Sequence, residues 1–466
     1  MPKTFFIRTF GCQMNEHDSE RLAGLLVADG LVPTSEESEA DVVVLNTCCI
    51  RENADQKLYG TLGKLKELVD AKPGLQIAVG GCLAQKDRER IQEKVGWVDV
   101  VFGTHNLTSA PELLRRAEHE GPLMEILDGP TPESIANHLM APEAVRELPY
   151  AAWINIQMGC DNSCAFCIVP AVRGPEVSRP MVDIVAEVET LARRGVSEVT
   201  LLGQNVNSYG RDITKRRPLF ADLLRAVGSV EGLSRIRFTS PHPKDLRPET
   251  IAAMAETPEV CEQLHLPLQS GSNTVLAAMR RGYTAERYLE KLAAARAAID
   301  DLAVTTDIIV GFPGETEQDF EDTLAVCAET VFDSAFTFIF SPRPGTRAAA
   351  MEDRFLPAEV ISERFLRLKA VVDRASLAQH QGRIGRLEDV LVEGVSKRDA
   401  STLSGRTRQG KLIHFAPISS GPSGTPAAGA LAEVTVTAGH PHHLTGRLEQ
   451  VTARPRHRTL IPVASA

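Results

Sequence analysis

The chain has 466 residues, 43% of them hydrophobic and 24% charged, a make-up that excludes a disordered or fibrous protein and gives room for two or three domains. No stretch approaches the roughly 18 apolar residues of a membrane span, and MPKTFFIRTFGCQ has no basic segment leading into a long apolar one, so no membrane partner and a cytoplasmic location are expected. The formal charge of −10 argues against a nucleic-acid partner until it is divided by region: residues 380–466 carry 11 Lys/Arg against 6 Asp/Glu, so basic charge gathers at that end.

Residues 1–120 alternate short apolar runs (KTFFIRTF, DVVVLN, LQIAVG, VDVVFG) with helical periods such as ENADQKLYGTLGKLKELVD. This pattern predicts an α/β domain with an open parallel sheet covered by helices. Four of the nine cysteines end these runs: Cys12 after KTFFIRTFG, Cys48 and Cys49 after DVVVLNT, and Cys82 after LQIAVGG. An odd cysteine count in a chain without an export signal argues against a disulfide framework and for metal or catalytic thiols. In an open parallel sheet the carboxyl ends of the strands line one crevice, so thiols 36 and 34 residues apart can meet there. Inert buried thiols would explain burial but not the repeated position. At Cys48 and Cys49 only one side chain is expected to face the crevice. The Pro-rich stretch within 121–149 breaks the alternation and is expected to be a linker.

Residues 150–379 give six strand candidates: WINIQ, EVTLLG, RIRFTS, CEQLHLP, AVTTDIIVG and AFTFIFS. Six βα units are too few for an eight-stranded barrel and predict a partial, TIM-like (βα)6 barrel. Behind the first strand, GCDNSCAFC holds Cys160, Cys164 and Cys167. A structural zinc would need a fourth ligand, and no further Cys or His is near. Three thiolates can instead hold three irons of a 4Fe-4S cluster and leave the fourth open. The remaining strand ends run into GQN (Gly203, Gln204, Asn205), SPHP (Ser240, His242), LQSGS (Gln269, Ser270), VGFPGET (Gly311, Gly314, Glu315) and SPRPGT (Arg343, Gly345), all on one rim. Cys261 and Cys327 lie in apolar contexts and are expected to be structural.

After a helix over roughly 357–381, LEDVLVEGV, TLSGRTRQGKLIHF, LAEVTVTAG and HLTGRLEQV predict a small all-β module over 380–450, with a loose tail over 451–466. Arg398, Arg406, Arg408 and Lys411 flank its turns and Arg454, Arg456 and Arg458 follow it, placed to contact RNA phosphates without reading sequence. GHPHH, with His440, His442 and His443, is expected to be a turn rather than a metal site.

The C-x-x-x-C-x-x-C spacing with Phe166 before the last cysteine resembles that of the radical S-adenosylmethionine (SAM) enzymes. The resemblance implies that Cys160, Cys164 and Cys167 are catalytic cluster ligands, that SAM chelates the open iron, and that its reductive cleavage yields a 5′-deoxyadenosyl radical. Gly203, Gln204, Asn205, Gln269 and Glu315 are the expected SAM contacts, although Gln204 and Asn205 stand where a Glu is common. FGCQMNEHDSE, NTCCIRENA, GGCLAQ, LGQNVNSYG, HLPLQSGS and TDIIVGFPGETEQDF together resemble the methylthiotransferases over nearly the whole chain.

That family implies a second 4Fe-4S cluster on Cys12, Cys48 and Cys82, the N-T-C position falling on Cys48. It also implies a carboxyl-terminal TRAM β-barrel for RNA. The implied activity replaces the hydrogen on carbon 2 of isopentenylated adenosine, beside the tRNA anticodon, by a methylthio group. Side-chain bases cannot remove so weakly acidic a hydrogen, so cofactors must supply the reactivity. Sister branches act on threonylcarbamoyl-adenosine or on an aspartate of a ribosomal protein, whereas FGCQMN and IREN fit the isopentenyl-adenosine branch. A non-catalytic iron–sulfur RNA-binding protein is the rival from another class, and it leaves the open irons and rim motifs without a purpose. The expected partners are tRNA, a sulfur donor and an electron donor such as flavodoxin or ferredoxin, with the chain a monomer.

Overall fold

The computed structural model describes residues 2–49, 52–131, 144–146, 148–417 and 425–456. Its first sheet is all parallel, with β1 (Thr4–Thr9), β2 (Val32–Pro33), β3 (Val42–Thr47), β4 (Gln76–Gly81), β5 (Val100–Phe102) and β6 (Leu123–Glu125) in the order β2-β1-β3-β4-β5-β6. Every residue of β3 and β4 is buried, because apolar clusters cover both faces of the sheet. Unbroken runs such as VVVL are what a doubly covered parallel sheet requires.

The edge strands β2 and β6, two and three residues long, are additions to the expected sheet. Strands this short show no periodicity. β6 also corrects the expected linker: Leu123–Glu125 pairs with β5, and Met124 and Ile126 pack on the domain core. Residues 132–143 and 147 of that stretch lie outside the described residues.

All six expected barrel strands form, as β7 (Ala151–Asn155), β10 (Glu198–Leu202), β11 (Arg235–Phe238), β12 (Gln263–His265), β13 (Ala303–Val310) and β14 (Ser334–Ile339), with a short hairpin of β8 (Gln157–Met158) and β9 (Val177–Ser178) after the first. Two parallel three-stranded sheets, β7-β10-β11 and β12-β13-β14, are stitched where Ile236 N–H donates to Glu259 O at 2.7 Å and Cys261 N–H donates to Ile236 O at 3.0 Å. The result is a six-stranded partial barrel in chain order. Ile154, Leu201, Ile236, Leu264 and Ile308 of its strands share one apolar core with Val188, Leu223 and Leu292 of the covering helices, and Cys327 is buried in the same core.

The helix Ala358–Gln381 leads to a closed five-stranded barrel of β15 (Leu387–Val395), β16 (Leu403–Thr407), β17 (Leu412–Ala416), β18 (Leu431–Gly439) and β19 (Leu444–Ala453). This module docks on the amino-terminal ends of the large barrel's strands. Arg235 and Arg237 of β11 donate to the carbonyls of Asp389, Arg406, Thr407 and Arg408. Arg408 returns to Glu262, just before β12, at 2.8 Å, and the buried Lys411 reaches Asp333, just before β14, at 2.6 Å.

For Arg408 and Lys411 the expected role is therefore corrected. Arg408 and Lys411 fasten two domains, Arg406 pairs with Glu393 at 2.8 Å, and Arg456 donates to Gly232 O at 2.9 Å. A buried cation needs a partner within the fold, and Lys411 has found its own, whereas Arg406 and Arg456 stay exposed. Arg458 lies outside the described residues, and the expected tail starts inside β19, which runs to Ala453. The histidines of GHPHH form the turn between β18 and β19, His440 stacked on His443 with ring centres 4.4 Å apart. No helix among the described residues is long and apolar enough to cross a membrane.

Candidate active site between two thiol centres

Cys12 is the N-cap of the helix Gln13–Ala28 behind β1, Cys48 follows β3, and Cys82 opens the helix Cys82–Asp87 behind β4. These three strands are neighbours in the sheet, so the thiols meet on one edge of it. The Cys48 S–H donates to Cys12, which lowers the Cys12 thiol to about 6 against the opposing effect of burial; the Arg173 guanidinium and the Asn15 and Met14 N–H groups help. The Cys49 S–H donates to Cys82, which lies at about 7 with Arg173 again favouring the thiolate, and Cys49 itself is held well above the usual thiol range. Thiolate is the form that binds iron.

The expectation that only one of Cys48 and Cys49 faces the crevice is thus corrected: each reaches a different neighbouring thiol. Both lie past the end of β3, where side chains no longer alternate.

Glycine precedes a cysteine at positions 11, 81 and 159, always at positive φ. At Gly81, φ is +93° and a Cβ would stand 2.5 Å from Thr47 O; at Gly159, φ is +73° and a Cβ would stand 1.9 Å from Pro175 O. The backbone must pass this closely for the thiols to converge. Gly81→Ala is expected to destabilise the fold by about 1–3 kcal/mol through backbone strain and the clash, read as a lower midpoint in urea unfolding.

The second centre is the loop behind β7 and β8. Cys160 N–H donates to Gly174 O at 3.1 Å, Ala165 N–H to Met279 O at 2.9 Å, and Ala348 N–H to Ala165 O at 2.9 Å, which fixes the loop from three sides. Burial raises the Cys160 thiol and pushes Cys167 up to about 12. The buried Arg281 donates from Nη1 to Cys164 Sγ at 3.3 Å and from Nε to Tyr283 Oη at 3.1 Å.

Around the same rim, Gly203 lies against Gln157, where a Cβ would stand 2.9 Å from Cγ. Asn205 donates to Asp245 at 2.8 Å, but its Oδ1 is buried without a partner among the described residues. The Oε1 atoms of Gln157, Gln204 and Gln269 share that condition. Gln269 and Ser240 hold φ at +68° and +60°, strain that a non-glycine residue keeps only where the surroundings impose it. Glu315 accepts from Gly311 N–H and pairs with Arg364 at 3.6 Å, so its carboxylate shapes its own turn; burial pushes it up to about 7. His242 is lowered to about 2 by burial, and its neutral Nδ1 accepts from Lys244 N–H at 3.2 Å.

One short segment joins the centres. Directly behind Cys167, Ile168 and Val172 pack into the apolar core of the first domain, and Thr104 Oγ1 donates to Val172 O at 2.5 Å. Arg173 ends the helix Val169–Arg173 and donates from Nε to Cys82 Sγ at 3.3 Å and from Nη2 to Asp18 Oδ2 at 2.7 Å. Arg173, Arg281 and Gln157 escape sequence reasoning. The only available signal is a charged or amide side chain set among apolar residues next to a cysteine loop.

Residues 4–103 match Uncharacterized protein family UPF0004, and residues 154–327 match the Radical SAM superfamily. The tRNA-2-methylthio-N(6)-dimethylallyladenosine synthase of Nocardia farcinica is 53% identical, covering 95% of this chain and 88% of the relative. That of Saccharopolyspora erythraea is 52% identical, covering 98% and 92%. The chain belongs to the tRNA-2-methylthio-N(6)-dimethylallyladenosine synthase family. In fold it is similar to the radical S-adenosylmethionine methyltransferase TsrM from Kitasatospora setae, with TM-score 0.54 and 14% identity over 75% of this chain and 77% of that one.

This synthase family implies 4Fe-4S clusters and SAM as cofactors, and the residues present fit both. Among the described residues no three His, Cys, Asp or Glu side chains close on a single ion. Thiols on separate strand ends and loop turns suit a cube instead, in which each iron takes one thiolate. SAM offers an ammonium, ribose hydroxyls and an adenine amino group as donors. The unpaired amide oxygens of Gln157, Gln204, Asn205 and Gln269 are acceptors in need of such donors.

Proposed function

We infer that the protein is a radical SAM transferase that replaces the hydrogen on carbon 2 of N6-isopentenyladenosine, beside the anticodon of a tRNA, by a methylthio group. The observation that carries this reading is the coupling of two cysteine centres through Val169–Arg173, since sulfur delivery and radical formation must occur across one base. Cys160, Cys164 and Cys167 would hold one 4Fe-4S cluster, and Cys12, Cys48 and Cys82 the other. When bound, the clusters and SAM supply the radical, sulfur and methyl chemistry that side chains lack.

The side chains do the rest. Arg281 donates to the Cys164 sulfur and holds it in place. Gln157, Gln204, Asn205 and Gln269 orient SAM by accepting from its polar hydrogens, while Gly203 lets Gln157 approach the rim. Neutral His242 adds no charge beside the rim, and Glu315 keeps the turn behind β13 in shape. Arg173 favours thiolate at Cys82 and ties it to the barrel. An adenine reacting at carbon 2 has to leave its stack to enter such a crevice. A cytoplasmic monomer supplied by flavodoxin or ferredoxin fits this chemistry.

The test is anaerobic turnover of the reconstituted enzyme with SAM, reductant and a tRNA containing N6-isopentenyladenosine, followed by digestion and mass spectrometry. The 2-methylthio nucleoside is expected. Its absence, with conversion of a threonylcarbamoyl-adenosine tRNA instead, would move the chain to the sister branch.

A further inference from the structure

The β module commits Arg408 and Lys411 to docking, and it sits at the amino-terminal rim of the barrel, away from the carboxyl-terminal rim that carries the cysteines. RNA held near the reacting rim therefore needs other positive charge. A groove of about 860 Å³ supplies it at the seam between the first domain and the barrel. One wall is formed by the helices Glu52–Ala71, Cys82–Asp87 and Glu89–Lys94, and the other by Pro342–Pro344, just behind β14.

Its lining carries Lys66, Lys86, Arg90, Lys94 and Arg343 against a single acid, Asp87, in a chain whose net charge is −10; Lys66 pairs with Asp70 and Lys86 with Asp87, so the proposal turns on Arg90 and Lys94. A scatter of solvated surface charge would not select one sign. Arg90 and Lys94 are exposed, and the Lys94 ammonium lies 4.5 Å from the Tyr59 ring centre, held towards the groove by an aromatic face. Trp97, partly exposed, adds an apolar flank of the kind on which unpaired bases stack. Lys86 stands four residues beyond Cys82 and Arg343 belongs to the SPRPGT rim motif, so the groove opens beside both halves of the site.

We propose that this seam groove is the docking site for the phosphate backbone of the substrate's anticodon loop. The inference rests on the tRNA reading above and gives that reading a surface. Arg90 and Lys94 neutralise phosphates, and the loop's backbone then crosses the mouth of the crevice, so that a flipped base faces the thiol centres. Phosphate contacts of this kind set position and leave base identity to the crevice.

The experiment measures equilibrium binding of the cluster-loaded full chain to a tRNA containing N6-isopentenyladenosine over a series of KCl concentrations. Wild type is compared with Arg90→Gln/Lys94→Gln and with Arg193→Gln/Arg225→Gln, an equal charge change on exposed outer barrel helices. The groove pair is expected to weaken binding about tenfold at moderate salt and to reduce the slope of log K against log salt by about 1.4 to 1.8, the effect of two lost phosphate contacts. The control pair should keep the wild-type slope. The proposal is overturned if wild type binds and the groove pair matches it in affinity and slope, or if the control pair loses as much. A wild type that fails to bind the tRNA at all removes the functional reading itself.

Discussion

Cys164→Ala is expected to abolish 5′-deoxyadenosine release while the protein still binds tRNA. Among the described residues Cys164 is the one barrel thiol with a hydrogen bond from a charged side chain, Arg281 Nη1 lying 3.3 Å from its sulfur. Replacing it removes one of three corners from the proposed cluster and leaves Arg281 buried without that acceptor. Iron content should fall from about eight to about four per chain, because the first-domain centre keeps its own thiols. Cys160 and Cys167 alone would not hold the cluster that supplies SAM with its reducing electron, so turnover should drop to background. Persistent deoxyadenosine release would show that this loop is not where SAM reacts, and loss of all iron would show that the centres do not assemble independently.

Arg173→Met is expected to be the most damaging single change away from the cysteines. It takes from the buried Asp18 its hydrogen-bonded cation, with Arg21 still nearby, and removes the donor to Cys82, so a loss of about 3 kcal/mol, the lower end for breaking a buried pair, is expected. Denaturant unfolding would read that loss. The effect on the cysteine centre separates from it in Arg173→Met/Asp18→Asn. Neutralising the stranded carboxylate should recover much of the stability, whereas iron retention in the first domain should stay low because Cys82 still lacks its donor. Arg173→Lys keeps the charge without the planar fork and should fall between. If the double variant recovered both stability and full iron, Arg173 would be a domain clamp with no role at the thiols.

Much of the architecture follows from local pattern. VVVLN is an unbroken apolar run because both faces of its sheet are covered, β13 alternates buried Ile308 and Val310 with half-buried Asp307 and Ile309, and the barrel strands are found where short apolar runs fall between helical periods. The cysteines are legible for the same reason: strands that run parallel finish on one side, so residues at their ends become neighbours whatever the intervening loop length. Local pattern fails where an element is too short to repeat, as in Leu123–Glu125, and where the chain leaves strand geometry, as at Cys48 and Cys49. It fails again for the cations of the β module, whose basic run reads as an RNA surface until Glu262 and Asp333 take up two of them.

The amino-acid order alone thus determined which thiols exist, in what spacing, and at which strand ends, since those depend on periods of two and 3.6 residues and on Gly-Cys turns. Tertiary packing alone decided who partners the buried charges. Arg173 finds Asp18 across 155 residues of chain, Arg408 finds Glu262 across 146, and the seam groove takes its walls from two domains. An ion pair leaves no period in the sequence. It is selected only when burial strips both groups of water and makes each the other's remaining source of stabilisation.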